Sequence, residues 1–250
     1  MKKLLWVFPL LALIGALFYP HDRADSFQLI GTNSSSSSSS SSGAAFSEDW
    51  DCTNADSPDC DLNWTEDLGD ADITSNQLVL VTGGWEPLWV ISQSAINTAN
   101  GYAKFTFVGT YGGSRYPHLV FRYTNSSSAH YTLEFIGNDP CRWSWYRYPT
   151  AGGSSSEIAN TELSSCSNGD TYAVTWTGTG ASTAIRIWKN QTANTPVSAT
   201  EWDSGDNTPD GSFTADPATP VDTGTLVGFA AYSASGSDTT IDNLYYGDLP

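Results

Sequence analysis

The sequence predicts an all-β domain, a two-sheet antiparallel sandwich of jelly-roll type, and three observations support this fold class. From Phe46 onward, short runs rich in β-branched and aromatic residues recur, and several of them alternate with a period of two. Clusters of Gly, Ser, Asn and Asp separate the runs, which is typical of hairpin turns. Beyond the N-terminal segment, no stretch of the sequence shows a helical period. Many short strands joined by polar turns favour a sandwich.

Residues 1–22 predict a secretory signal or a signal anchor helix. Two lysines precede an apolar run from Leu4 to Tyr19. This run is short for a membrane span, which needs about 20 apolar residues. No small-x-small cleavage site follows the run, so a cleaved signal and an uncleaved membrane anchor both stay open. We expect an exported protein that is secreted or displayed at the cell surface.

Residues 23–45 predict a flexible linker between this segment and the β domain, which spans residues 46–250. The linker contains an unbroken serine tract, Ser34–Ser42. Serine has no apolar surface to bury, so the tract is expected to act as a passive tether that holds the domain away from its anchor.

Composition and charge exclude some classes of partner. The formal net charge is -17, so nucleic acid and anionic membrane surfaces would repel the domain at long range. Hydrophobic residues make up 39% of the chain, which is enough to bury a substantial core. The seven Lys and Arg residues beyond the linker all lie in the middle of the chain, so the domain is expected to be electrically uneven.

The four cysteines fit an exported domain. They permit three pairings, of which we expect the sequential one, with Cys52 joined to Cys60 and Cys141 joined to Cys166. A metal site built from these cysteines is disfavoured, because the sequence has no C-x-x-C pair and few histidines.

Period-two alternation assigns side chains to the two faces of several predicted strands. Three side chains are expected on outward faces: Arg122, Glu134 and Arg186, with Trp188 beside Arg186. The expected core-facing residues are Leu119, Phe121 and Tyr123; Tyr131, Leu133 and Phe135; Tyr172, Val174 and Trp176; and Ile185 and Ile187.

The two ends of the domain carry the motifs that identify its family. The start reads FSEDWDC and then LNWTEDLGDADITSNQLVLV, and the end reads GTLVGFAAYSASGSDTTIDNLYYGDLP. Together these segments resemble the concanavalin A-like lectin/glucanase superfamily, in its laminin-G-like and carbohydrate-binding forms. The resemblance covers roughly residues 46–250 and implies that the first and last strands pair, with Asp49 near Asp242. Members of this superfamily include lectins, glycosidases and lyases, so the resemblance indicates the fold more strongly than the function.

The catalytic patterns of the superfamily are absent from the sequence. The catalytic strand of its glucanases resembles the pattern E-x-D-x-x-E. In this sequence, TEWDSGD (200–206) places Glu201 and Asp203 two positions apart but lacks the third acid of that pattern. The Q-I-H strand of the alginate lyases is also missing. His118 is expected to be structural. We therefore expect a domain that is not an enzyme, with a diverged hydrolase or lyase as an alternative.

A structural calcium ion is a further expectation. Calcium prefers carboxylate and carbonyl oxygens, which loops between strands supply. Glu48, Asp49 and Asp51 form one acidic cluster, and the resemblance brings Asp242 close to it. These four residues are the candidate ligands, and the alternative is ordinary surface acidity.

Carbohydrate binding is the function that the sequence favours. Sugar sites combine aromatic faces with a few placed polar groups. In CRWSWYRY (141–148), alternation places Trp143 and Trp145 in the core and turns the intervening residues outward. The candidate ligand-binding residues are Trp85, Arg115, Tyr116, Arg122, Glu134, Arg142, Tyr146 and Tyr148. The expected function is a tethered glycan-binding domain, and an assembling subunit of a surface appendage or virion is the structural alternative.

Overall fold

The computed structural model describes residues 43–51, 62–81, 88–108, 115–136, 141–163, 165–215, 219–233 and 239–250. These residues form β strands and one short 3-10 turn, Gly180–Ser182, so the predicted all-β class is confirmed. The predicted N-terminal helix lies outside the described residues. The strands are β1 (Ala45–Glu48), β2 (Trp64–Leu68), β3 (Asp70–Ile73), β4 (Leu78–Val81), β5 (Leu88–Ser92), β6 (Gly101–Val108), β7 (Arg115–Tyr123), β8 (His130–Ile136), β9 (Cys141–Tyr148), β10 (Ser156–Leu163), β11 (Thr171–Thr177), β12 (Thr183–Lys189), β13 (Gly211–Ala215), β14 (Leu226–Ser233) and β15 (Thr239–Asp248).

The strands pair in two antiparallel sheets. Sheet A follows the order β13-β12-β11-β6-β15-β4-β3, with β1 added beside β15, and sheet B follows β10-β9-β8-β7-β14-β5-β2. Ala45 lies opposite Gly247 and Glu48 lies opposite Leu244, which confirms that the first and last strands pair. Consecutive strands β7 to β10 form a meander in sheet B, and this meander carries the candidate site.

The core lies between the sheets and is strongly aromatic. Phe135 packs against Trp143 with ring centroids 4.9 Å apart and against Tyr172 with centroids 5.4 Å apart. Each fully buried side chain of this size contributes about 1.5–3 kcal/mol to folding. Almost all side chains predicted to face the core do so, namely Leu119, Phe121, Tyr131, Leu133, Phe135, Trp143, Trp145, Tyr172, Val174, Trp176, Ile185 and Ile187.

The end of β7 breaks the predicted alternation. Arg122 has a φ of 53°, and the pairing of β14 with β7 shifts between Leu226 and Gly228, so an irregularity of bulge type lies here. Such an irregularity exchanges the faces of the residues that follow it. The predictions that Arg122 faces outward and that Tyr123 faces the core are therefore both wrong.

The Arg122 guanidinium is buried and held by oxygen atoms, with 1% of the residue exposed. It donates to the carbonyl oxygens of Ala99 at 2.9 Å and Val221 at 2.8 Å, and also to that of Gly178. It also donates to Asn100 Oδ1 at 3.1 Å. Arg122 thus joins four chain segments, and its predicted role in ligand binding is corrected to a structural one.

Residues 190–206, which we call the strap, cover the outer face of sheet A. Trp202 of the strap packs against Trp188 and against Tyr102, with ring centroids 5.9 Å apart in each pair. Trp188 leaves the sandwich core, as its alternation predicts, but it is fully buried beneath the strap. Arg186 stays half-buried and donates to the Ala199 carbonyl oxygen at 3.4 Å.

A single disulfide bond lies within the described residues. Cys141 at the start of β9 is bonded to Cys166, with 5.9 Å between the Cα atoms, which confirms the second predicted pair. Cys52 and Cys60 lie outside the described residues. In the part of the chain that the structure describes, no helix is long and apolar enough to cross a membrane.

Candidate functional site

The candidate site lies on the outer face of sheet B, the face turned away from sheet A. Strand register builds it, because residues directly opposite each other share a face. Glu134 on β8 lies opposite His118 on β7 and Ser144 on β9. Tyr146 on β9 lies opposite Thr132 on β8 and Glu157 on β10.

Four polar side chains form the centre of this face, and we call them the Glu134 site: Glu134, Arg142, Tyr146 and Glu157. Tyr146 is hydrogen-bonded to Glu134 and donates its hydroxyl to Glu157 Oε2 at 3.3 Å. Asn160 Nδ2 orients the other oxygen of Glu157, Oε1, at 2.6 Å. A single tyrosine hydroxyl therefore connects two carboxyl groups from different strands.

Glu134 is only 13% exposed at its side chain, and this burial changes its chemistry. Burial raises the pKa of Glu134 to about 7, because removing the carboxylate from water penalises its charged form. The Tyr146 hydrogen bond and the nearby Arg142 lower this pKa, and the Glu157 carboxylate raises it. Near neutral pH, Glu134 therefore exchanges readily between a proton donor and a proton acceptor.

The same burial raises the pKa of Tyr146 above its usual range, and the neighbouring Glu134 and Glu157 carboxyl groups add to the rise. The phenol therefore stays protonated across the physiological range. Its ring remains half-buried, and it lies 6.5 Å from the ring of Tyr148. Tyr146 thus combines a hydroxyl donor with a partly accessible aromatic surface.

His118 lies behind Glu134 and is almost fully buried. Its Nε2 is 3.9 Å from Glu134 Oε1, and its Nδ1 is 3.2 Å from Thr132 Oγ1. Burial, with a smaller contribution from the nearby His130, lowers the pKa of His118 to about 3. His118 is therefore neutral at physiological pH and serves Glu134 as a polar neighbour rather than as a counter-ion.

An aromatic layer of Trp89, Tyr123, His130 and Tyr148 continues the outer face beyond the Glu134 site. The His130 and Tyr148 rings are stacked, with centroids 5.7 Å apart and 8° between their planes. Trp89 meets Tyr148 edge-on at 5.3 Å. These rings are buried, so the layer supports the site from one side and is not itself an open stacking surface.

The hydrogen bonds of His130 define its tautomer. Its Nε2 accepts the indole N–H of Trp89 at 3.2 Å, and its Nδ1 donates to the Ser128 carbonyl oxygen at 3.1 Å. Burial lowers the pKa of His130 to about 4. Neutral His130 satisfies both partners, whereas a second ring proton would point at the Trp89 N–H.

The structure brings together some of the predicted ligand-binding residues and separates others. Glu134, Arg142 and Tyr146 meet in the Glu134 site, as their alternation on β8 and β9 suggests. Tyr148 also turns outward, but it is only 4% exposed. Trp85 lies outside the described residues, as do the side chains of Arg115 and Tyr116 on β7.

Sequence analysis missed Glu157 and the outward placement of His118. Glu157 has no distinctive pattern in SEIANTEL, and only the register of β10 against β9 places it beside Tyr146. His118 alternates with Leu119 and Phe121, which the sequence assigned to the core, so alternation alone could have placed it outward.

Glu48 does not fit the predicted calcium site. It is 1% exposed, and its carboxylate accepts the backbone N–H groups of Trp50 at 3.1 Å and Leu62 at 3.0 Å. It also accepts the Trp64 indole N–H at 3.4 Å. Both oxygens are thus turned toward N–H donors, so Glu48 caps these groups in this structure, and metal ligation by Glu48 stays a prediction.

The other predicted calcium ligands are Asp49, Asp51 and Asp242, and their arrangement gives little support for a calcium site. Burial raises the pKa of Asp242, and the nearby Asp49 carboxylate adds to the rise, which agrees with the predicted proximity of these two residues. Asp49 Oδ1 accepts the backbone N–H of Asp51 at 3.2 Å. Among the described residues, no group of three or more His, Cys, Asp or Glu side chains is arranged to hold a metal ion. Calcium binding stays a prediction.

Comparison with protein-family models and with curated proteins finds no match. Among solved structures, the chain is similar to carbohydrate-binding module CBM66 from Bacillus subtilis, at 12% identity and a TM-score of 0.47, covering 76% of this chain and 95% of that one. A legume lectin-like domain from Entamoeba histolytica is similar at 8% identity and a TM-score of 0.47, with 75% and 91% covered. A β-1,3-1,4-glucanase from a mouse hindgut metagenome is similar at 11% identity and a TM-score of 0.49, with 82% and 99% covered.

These similarities are low in identity and in TM-score, and the assignment of the fold rests on the two antiparallel sheets described above. The prediction that the domain is not an enzyme is wrong, because it excluded hydrolysis on the basis of a missing sequence pattern. Further glucanases and a family 16 glycosyl hydrolase are also similar to the chain, at 13–14% identity. At such identities a missing sequence pattern does not exclude hydrolysis, and the enzymatic state is a matter for experiment.

Proposed function

We propose that the outer face of sheet B binds a glycan at the Glu134 site. The observation that carries this proposal is the Tyr146 hydroxyl, which connects Glu134 and Glu157 on an outward face. Sugar hydroxyls both donate and accept hydrogen bonds. They therefore suit a site that offers a phenol, a guanidinium and two carboxyl groups within one patch.

Each residue of the site has a distinct role in this proposal. Glu157 accepts a sugar hydroxyl, Arg142 donates to one, and Glu134 does either according to its protonation. The half-buried Tyr146 ring offers an apolar surface to the C–H face of a pyranose. The buried aromatic layer fixes the neighbouring backbone, so the polar groups are held in place before the ligand arrives.

Glycan-array binding of the full chain tests the proposal. Replacing Tyr146 with Ala should weaken binding by about tenfold or more, which corresponds to about 1.4 kcal/mol. Tyr245→Ala is the matched control, because Tyr245 is half-buried on sheet A, away from the site. Binding that survives both Tyr146→Ala and Glu157→Gln unchanged would refute the site. Silence on arrays, together with concentration-dependent self-association, would favour the structural alternative of an assembling subunit.

One observation also favours glycoside hydrolysis as a second candidate function. Glu134 and Glu157 both lie beside the Tyr146 hydroxyl, so the two carboxyl groups are neighbours on the outer face of sheet B. Retaining glycosidases hold two carboxyl groups about 5–5.5 Å apart, one of them protonated at neutral pH. Glu134, with its pKa raised to about 7, suits the acid, and Glu157 suits the carboxylate that attacks or stabilises the sugar carbon.

Release of reducing ends from oligosaccharides and polysaccharides tests hydrolysis. Glu134→Gln and Glu157→Gln should each lower the rate by about 100-fold or more, since each removes a proton-transfer or nucleophilic group. Asp51→Asn is the control, because Asp51 is exposed beside β1 on sheet A, away from the Glu134 site. A hydrolytic rate that both site variants retain would place the chemistry elsewhere.

We also propose that the domain is exported and held on the serine-rich linker. The N-terminal pattern and the Cys141–Cys166 disulfide support this, because disulfides persist in oxidising compartments. Deleting residues 1–22 should retain the chain inside the producing cell. Equal secretion with and without this segment would overturn the proposal.

A further inference from the structure

Three Asn-x-Ser/Thr triplets, the acceptor pattern for N-linked glycosylation, lie in the described residues. They begin at Asn63 (NWT), Asn125 (NSS) and Asn190 (NQT), and a fourth, at Asn33, lies in the linker outside the described residues. Such a triplet is useful only where the folded chain leaves room for a sugar on the amide nitrogen. The structure distinguishes the three on this criterion.

Asn63 is the freest of the three acceptors. It is exposed just before β2, and its amide makes no hydrogen bond with the described residues. Its backbone oxygen accepts Gln93 N–H at 2.7 Å, which fixes the chain beside β5. Thr65, the hydroxyl residue of the triplet, is also exposed.

Asn125 lies in the exposed turn between β7 and β8. Its Oδ1 accepts the Ser127 N–H at 3.0 Å and the Ser128 hydroxyl at 2.9 Å. Its Nδ2 makes no hydrogen bond with the described residues. Because an N-linked sugar attaches to Nδ2 and leaves Oδ1 intact, the turn is compatible with modification.

Both polar atoms of the Asn190 side-chain amide are hydrogen-bonded. Its Oδ1 accepts the Thr171 N–H at 3.0 Å, and its Nδ2 donates to Asp170 Oδ1 at 3.2 Å. Thr192, the hydroxyl residue of this triplet, donates to Asp203 within the strap at 2.9 Å. A sugar on Asn190 Nδ2 would crowd Asp170 and disturb the turn that begins the strap.

We propose that Asn63 and Asn125 carry N-linked glycans and that Asn190 does not; this rests on the proposed export. The donor is a lipid-linked oligosaccharide diphosphate. The amide Nδ2 forms a bond to the anomeric carbon of the first sugar and loses a proton. The bond between that carbon and the diphosphate oxygen breaks, and the lipid diphosphate leaves with the electron pair. No oxidation or reduction takes place.

The placement of Asn63 gives its glycan a physical consequence. Strand β2 is the last strand of sheet B among the described residues. Exposed strand edges promote association with other chains unless they are covered or charged. A glycan at the start of β2 would cover this edge.

Production of the full chain in a eukaryotic secretory cell line tests the proposal. Peptide mass mapping, with enzymatic glycan removal that converts each modified Asn to Asp, should identify Asn63 and Asn125. Asn63→Gln and Asn125→Gln should each remove one glycan, as should Thr65→Ala and Ser127→Ala, which keep the asparagines. Asn190→Gln should leave the glycan content unchanged. Secreted chain with bare Asn63 and Asn125, or with a glycan on Asn190, would overturn the proposal.

A second version separates this proposal from export. In it, an established secretion signal replaces residues 1–22. Glycans on Asn63 and Asn125 of this version, with no secretion of the natural sequence, would refute export and uphold the two acceptors. Secretion of both versions with bare asparagines would refute the acceptors and uphold export.

Discussion

Glu134 and His118 face each other across β8 and β7, with 3.9 Å between Oε1 and Nε2, without forming an ion pair at neutral pH. Burial shifts the two pKa values in opposite directions, raising that of Glu134 to about 7 and lowering that of His118 to about 3. Between these values both groups are neutral. The outer face of sheet B is therefore less charged than its residues suggest.

The first prediction concerns Glu134 and stability. A carboxyl group whose folded pKa is raised favours folding below its unfolded pKa, and this contribution is lost as the pH rises through the folded value. The natural protein should thus lose stability from Glu134 between pH 4.5 and 7. Relative to it, Glu134→Gln should gain roughly 2 kcal/mol across this window. Denaturant unfolding at several pH values measures this difference, with Asp51→Asn as an exposed control on sheet A. Parallel curves for all three proteins would contradict the assignment.

The second prediction concerns His130, whose folded pKa is lowered to about 4. Its neutral form stabilises the fold above the unfolded pKa, and this stability is lost as the pH falls from about 6.5 toward 4. His130→Phe should be less stable at pH 7 by about 1–3 kcal/mol, because Trp89 loses its acceptor. In unfolding titrations between pH 6.5 and 4, the stability of His130→Phe should also change less than the stability of the natural protein. An unaltered acid dependence would show that His130 is not the responsible group.

The third prediction compares two arginines that sequence alternation placed alike. Arg122→Met should destabilise the domain by about 3–5 kcal/mol, because it leaves buried oxygens without donors. Arg186→Met should change stability by less than about 0.5 kcal/mol, because Arg186 is half-buried and makes one long hydrogen bond. Denaturant midpoints decide the comparison. Similar losses in both variants would mean that Arg122 is not the junction described above.

Alternation was sufficient to predict the core but not the junctions between elements. The triplets Tyr131, Leu133, Phe135 and Tyr172, Val174, Trp176 face the core because each lies in a regular strand, where burial follows a period of two. Arg122 and Tyr123 were assigned wrongly because the irregularity at Arg122, with its positive φ, exchanges the two faces from Arg122 onward. Nothing local in FRYTN signals this irregularity.

Only part of the Glu134 site could be predicted for a similar reason. Glu134, Arg142 and Tyr146 share a face by alternation within β8 and β9, which the sequence shows. Glu157 joins them through the register of β10, and that register depends on tertiary pairing. Trp188 was predicted outward, and its burial under the strap depends on residues beyond its own strand. The alternation within a single strand carries no information about which other segments will pack against it.

The fourth prediction concerns the strap. Lys104 Nζ donates to the carbonyl oxygens of Thr192 at 3.2 Å and Ala193 at 2.9 Å, and to Asn194 Oδ1 at 3.0 Å. Lys104→Met should release this anchor, while Trp202 keeps the apolar contact. Limited proteolysis should then cut within residues 190–206 faster than in the natural protein, because local opening exposes the backbone. Val197→Ala, at an exposed strap position, should not change the cutting rate. Equal rates in all three proteins would show that Lys104 does not hold the strap.

The fifth prediction separates the capping role of Glu48 from calcium binding. Glu48→Gln keeps the size of the side chain but replaces one acceptor oxygen with a donor, which then faces an N–H group of Trp50, Leu62 or Trp64. If Glu48 acts as a cap, the variant should lose about 1–3 kcal/mol equally in calcium and in chelator. The natural protein, heated under both conditions, reports separately whether calcium binds to the domain at all. A calcium-dependent rise in Tm that is present in the natural protein and lost in Glu48→Gln would restore Glu48 as a ligand. Its buried carboxylate would then have to exchange at least one N–H partner for the ion.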